Sequence, residues 1–104
     1  MKNRSIIDQI SESVHQLDPN AEAFLFGSRA RGDHRPNSDW DILILVEAPG
    51  ITQETEDKFR EPLYDIELES GQIISTFLYT KDDWKDHLKY SPLFENVTKE
   101  GLRL

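Results

Sequence analysis

Two short apolar runs bracket a charged turn between Phe24 and Val46, FLFGSRARGDHRPNSDWDILILV, and this stretch restricts the chain more than any other. An apolar run bounded by turn residues and a glycine has the form of a buried strand, so AEAFLF predicts one strand ending at Phe26 and WDILILV a second from Trp40 to Val46. Between them SRARGDHRPNS is polar and broken by Gly32 and Pro36, which allows at most a short helical turn followed by a loop. Core strands rarely need such a charged connection, and its content asks for an explanation.

The flanking sequence supplies the rest of a fold. Ile6, Ile7, Ile10, Val14 and Leu17 share one side of a 3.6-residue period, which predicts an amphipathic helix from about Ser5 to Leu17, stopped by Asp18, Pro19 and Asn20. TQETEDKFREPLYDIELESG reads as a helix with Phe59, Leu63 and Ile66 on one face, ended by Ser70-Gly71, and Pro62 predicts a kink or a fresh start near Glu61. Tyr64 to Glu69 also alternates apolar with acidic residues, leaving open a strand in a hairpin with the next one. QIISTFLYT is the third strand. Thr80 with Asp83 three residues later opens a helix through about Lys89, and Ser91-Pro92 opens a last one that Gly101 ends. Trp84, Leu88, Leu93, Phe94 and Val97 form the inward side of these two helices. The order predicts an α/β (α+β) fold, a small mixed β-sheet with helices packed on it.

With 104 residues the chain suits one domain, 1–104, around one modest core. No segment has the apolar length of a membrane span, and MKNRSIIDQI lacks the pattern of a signal peptide, so the expectation is a cytoplasmic protein without membrane association. Cysteine is absent, so any metal must be held by carboxylates or histidines. A net charge of −8 argues against extended nucleic-acid binding but leaves room for a local basic site that holds a nucleotide, and for a partner with a basic face.

Asp39 and Asp41 stand two residues apart at a strand entrance, so their side chains point to the same face. Two carboxylates on one face can share a divalent cation, and oxygen-only ligation suits Mg2+ completed by substrate phosphates and water. Taken alone, DWD more often means two solvated aspartates. Gly27 after a buried strand permits a tight turn and close backbone approach, while Ser28 offers a hydroxyl and starts a helical turn whose amides favour phosphate. Arg29, Arg31 and Arg35 add guanidinium groups suited to phosphate, although any one of them alone reads as a solvated loop charge, some paired with Asp33. His34 lies in the same turn and is more simply a solvated histidine; His15 and His87 show no metal spacing with each other. Trp40 either packs beside the strand or stacks near a base.

The composite GSRARGDHRPNSDWD, Gly-Ser followed after ten residues by Asp-x-Asp and flanked by two strands, resembles the signature of the nucleotidyltransferase superfamily related to DNA polymerase beta. The short length most resembles its minimal nucleotidyltransferases, antitoxins paired with HEPN-domain toxins. The resemblance implies the nucleotidyltransferase fold and a reaction in which a hydroxyl attacks the α-phosphate of ATP and pyrophosphate leaves. It implies that Gly27, Ser28 and Arg29 bind the nucleotide phosphates, that Asp39 and Asp41 bind Mg2+ and catalyse, and that AMP passes to a hydroxyl of a HEPN partner. Members usually carry a third carboxylate on the next core strand; here Ser75 occupies the expected place, with Asp65, Glu67 or Glu69 as substitutes if the hairpin forms. Two other readings stay open: a nucleotide-binding module that neutralises its partner by contact, and transfer to a small molecule of the aminoglycoside type. The base, the acceptor and self-association are open at this level.

Overall fold

The computed structural model describes residues 5–104. In chain order the elements are α1 (Ile6–Leu17), β1 (Glu22–Phe26), α2 (Ser28–Arg31), β2 (Trp40–Val46), α3 (Gln53–Ser70), β3 (Ile74–Thr80), α4 (Lys81–Asp86), α5 (Pro92–Glu100) and β4 (Leu102–Arg103). The sheet has the order β3-β2-β1-β4, with β1 antiparallel to both β2 and β4, and β2 parallel to β3. Among the described residues no helix is long and apolar enough to cross a membrane.

Four helices begin where a hydroxyl can accept an otherwise orphaned amide. Ser5, Thr52, Thr80 and Ser91 accept from the amides of Asp8, Thr55, Asp83 and Phe94 at 3.1, 3.2, 3.0 and 3.1 Å. Each such cap is worth about 1 kcal/mol.

The sheet is covered on both faces, and period-two alternation sorts its side chains between them. On one face Ile6, Ile10 and Val14 of α1 and Phe59, Leu63 and Ile66 of α3 pack against Ala23, Leu25, Ile42, Ile44, Val46, Ile74 and Leu78. On the other, Phe26, Leu43 and Leu45 meet Val97 of α5, with Phe24, Phe77, Tyr79, Trp84 and Leu93 around them. β2 is therefore buried on both sides from Ile42 to Val46, which is why its sequence is an unbroken apolar run. The second layer is the smaller one, and it leaves the N-terminal end of β2 open on that face.

Two points left open by the sequence are decided and one helix boundary is corrected. Tyr64–Glu69 is helix and forms no hairpin: the buried stripe of Phe59, Leu63 and Ile66 has helical spacing and docks on the core, while Tyr64 and Leu68 stay exposed. α3 continues through Pro62 as one helix with no fresh start near Glu61, because buried residues on both sides of the proline hold it against one surface. The helix after Thr80 ends at Asp86, with His87 as its C-cap, short of Lys89. The two-residue strand β4 has no signature in the sequence and forms because Gly101 lets the chain turn out of α5 alongside β1.

Candidate active site

The charged turn and the open end of β2 meet at one place. Alternation that sends Ile42 and Ile44 to the α1/α3 face sends Leu43 and Leu45 to the α5 face, and Asp41 and Asp39 continue that second series. Trp40 takes the opposite side, packs against the α1/α3 core, and donates its indole N–H to Gln72. In register, Asp41 lies between Phe26 of β1 and Ser75 of β3. The Ser75 hydroxyl donates to Asp39 Oδ2 at 3.0 Å. Ser75 thus stands beside the aspartate pair on the next strand, where it contributes a neutral hydroxyl that orients Asp39.

Gly27 joins this group through the absence of a side chain. Its φ of 77° is a left-handed value, and a Cβ placed on it would overlap Asp41 Oδ2. The Gly27 carbonyl accepts from the amides of Ala30 and Arg31, both at 3.0 Å, which closes the turn of α2. Its own N–H donates to Glu100 Oε2 at 2.5 Å. The same carboxylate receives Arg31 Nη1 at 3.0 and 3.2 Å, and Arg31 Nε donates to Asp33 Oδ2 at 3.2 Å. The seat in front of Gly27 therefore already holds an oxyanion between a backbone amide and a guanidinium.

The other arginines are used differently. Arg29 donates to the carbonyls of Ser38 at 3.0 Å and Pro36 at 3.1 Å, and its guanidinium lies 4.3 Å from the centre of the Trp40 ring. It braces the loop leading into Asp39, and those contacts place it with Trp40 on the side of β2 away from the aspartates. Arg35 shapes the loop through its backbone amide, which donates to Ser38 Oγ at 2.9 Å, and its side chain is exposed, as is His34. His15 lies against the carbonyl of Leu104 at 3.1 Å and His87 against Asp83 at 2.9 Å, both distant from this group in the fold. Asp65, Glu67 and Glu69 belong to α3, which packs on the opposite face of the sheet; Glu67 accepts from the Ile74 amide at 2.8 Å.

Electrostatically the centre is acidic. Partial burial pushes the Asp41 carboxyl above its ordinary range, repulsion from Asp39 and Glu100 adds to this, and Arg31 opposes it. Hydrogen bonds to Asp33 and Glu100 raise Arg31. A divalent cation between Asp39 and Asp41 would relieve their repulsion. Among the described residues no cluster of three or more histidines, cysteines or carboxylates is arranged to hold a metal. Two carboxylates on one face, with an anion seat beside them, nevertheless fit Mg2+, which commonly takes one or two protein carboxylates and draws other ligands from substrate phosphates and water.

Fold and site together place two strand carboxylates beside a glycine turn whose amide holds a carboxylate oxyanion. Residues 7–97 match the family model described as a nucleotidyltransferase domain, and the chain belongs to that family. Two solved structures are similar. One, a toxin-antitoxin complex with AMP-PNP, has a TM-score of 0.65 at 18% identity and aligns over 92% of this chain and 69% of its own. The other, a point mutant of the toxin-antitoxin MntA-HpeT, has a TM-score of 0.62 at 19% identity, over 100% of this chain and 72% of its own. Likeness at these identities is likeness of fold. No curated protein sequence is similar enough to count as a match.

Glu100 is the member of the group that motif reading misses. It stands 73 residues from Gly27 and belongs to no local pattern. One signal was present: an acidic side chain in the last helical turn opposes the helix dipole, which favours cations there.

Proposed function

We propose that the chain is a magnesium-dependent adenylyltransferase that moves AMP from ATP to a hydroxyl of a HEPN-domain toxin and acts as that toxin's antitoxin. The observation that carries the chemistry is the convergence of Asp39 and Asp41 on one face, beside Gly27, with an anion seat next to them. The partner half of the reading draws support from the two solved structures of similar fold, both toxin-antitoxin structures and one of them with AMP-PNP.

In this reading Gly27 and Ser28 take phosphate oxygens, and Arg31 compensates their charge. Asp39 and Asp41 hold the ion, while Ser75 fixes the rotamer of Asp39 through its hydrogen bond. Arg29 and Trp40 keep the preceding loop in place. Bound Mg2+ would supply charge stabilisation at the α-phosphate and the departing pyrophosphate. The acceptor oxygen bonds to the α-phosphorus as the bond to the bridging oxygen of pyrophosphate breaks, so the protein contributes chiefly placement and charge compensation.

The hydroxyl of Ser75 beside Asp39 favours a second reading, a nucleotide-binding module that neutralises a partner by contact, because serine cannot act as a carboxylate base. Incubation with a HEPN partner, Mg2+ and ATP labelled at either the α- or the γ-phosphate separates the two. Adenylyl transfer labels the partner from the α-position and leaves γ-label in pyrophosphate. Nucleotide binding with no transfer of α-label favours the second reading.

A further inference from the structure

The seat beside Gly27 is filled by a residue of the chain itself. Glu100 is the last residue of α5, and its carboxylate receives the Gly27 N–H and two hydrogen bonds from Arg31 Nη1. Its side chain retains only 16% of its exposure. We propose that Glu100 is an internal competitor for nucleotide phosphate, a carboxylate latch that occupies the phosphate seat in the resting protein and must leave it when a nucleoside triphosphate enters. The latch rests on the nucleotidyltransferase reading of the site.

Three observations support it. The donors Glu100 engages, one backbone N–H and one guanidinium, are the kind that recognise a phosphate oxygen, and a single amide cannot serve a carboxylate and a phosphate at once. Its location is unfavourable for a merely structural charge: it ends a helix at the pole that disfavours anions, and it is close enough to Asp41 to repel it. Release asks little of the fold. Beyond Glu100 the chain turns at Gly101 into β4, which stays anchored through Leu102 and Arg103 on β1 and the Leu104 amide on the Ala23 carbonyl, so rotation of the Glu100 side chain alone frees both donors without moving the terminus. Arg31, released from Glu100, becomes available to the incoming phosphates, so one displacement both empties and arms the seat.

The test is titration of the wild-type chain, Glu100→Gln and Glu100→Ala with AMP-PNP and Mg2+, and in parallel with AMP, which lacks the β- and γ-phosphates. Gln keeps a neutral acceptor for the Gly27 amide, so this variant remains readable if Glu100→Ala is less stable. The latch predicts that AMP-PNP binds Glu100→Gln about tenfold more tightly than wild type, since a like charge at the seat is gone, with AMP affinity changed less than about twofold. Equal or weaker binding of AMP-PNP by Glu100→Gln, with wild-type binding intact, overturns the latch and leaves the nucleotide site standing. Binding by none of the three proteins overturns the latch and the nucleotide site together.

Discussion

The Ser75 hydroxyl donates a 3.0 Å hydrogen bond to Asp39 Oδ2 across the parallel pair β2/β3. In this protein the strand next to the aspartates contributes orientation in place of a third negative charge. Removing that bond leaves Asp39, which is exposed, to sample other rotamers. Ser75→Ala is expected to weaken activation by Mg2+ about tenfold, as the loss of a hydrogen-bond partner behind a metal ligand does elsewhere, with little change in melting temperature. Titrating transfer activity against Mg2+ checks it.

Asp41 gives a pH signature. Its carboxyl is raised above the ordinary value of 3.8, so the folded state favours the protonated form. The contribution to stability is then greatest below that ordinary value and is lost as pH rises through the raised one. At neutral pH without metal, Asp41→Asn should melt a few degrees higher than wild type, and the gain should vanish in acid. Added Mg2+ should stabilise the wild type more than the variant. Thermal melts across pH, with and without Mg2+, read both effects.

Gly27 and Gly32 both have positive φ, yet their surroundings differ. A Cβ at Gly32 meets nothing within 4 Å, whereas one at Gly27 meets the Asp41 carboxylate. Gly32→Ala should cost about 1–2 kcal/mol, the left-handed penalty alone, and spare activity. Gly27→Ala should cost more and abolish transfer by displacing Asp41. Denaturant unfolding and an activity assay on both variants distinguish backbone strain from damage to the site.

Arg29 and Arg31 are two residues apart and do different work. Arg29→Ala removes carbonyl contacts and the Trp40 stack, and should destabilise by about 1–3 kcal/mol. Arg31→Ala removes a guanidinium from an exposed position beside the seat, and should leave the melting temperature near wild type while raising the KM for ATP. A shared outcome for the two variants would contradict this division.

Much of this arrangement was legible in the chain. The run ILILV in β2 announced a buried strand, and the alternation that buries Leu43 and Leu45 also fixed the side on which Asp39 and Asp41 emerge. Gly27-Ser28 was visible as a turn because it follows FLF directly. The roles of the arginines were not legible, since all three share one polar loop and only tertiary contacts send Arg29 to Trp40 and Arg31 to Glu100. Tyr64–Glu69 carried two periodicities at once, and docking of Phe59, Leu63 and Ile66 on the core decided for helix. β4 was invisible and Glu100 was marked only by its unfavourable place at a helix C-terminus, because both are brought in by the last turn of the chain, where neither periodicity nor a motif points to the site.

The most direct test is transfer of α-labelled AMP to a HEPN partner by the wild-type chain and by the Asp39→Asn/Asp41→Asn double variant, each with Mg2+ and with chelator. Metal-dependent adenylyl transfer at this site predicts labelling by the wild type with Mg2+ only, and a loss of at least about a thousandfold in the double variant, on the scale of losing the charge stabilisation that drives such a step. Equal labelling by the double variant would contradict it.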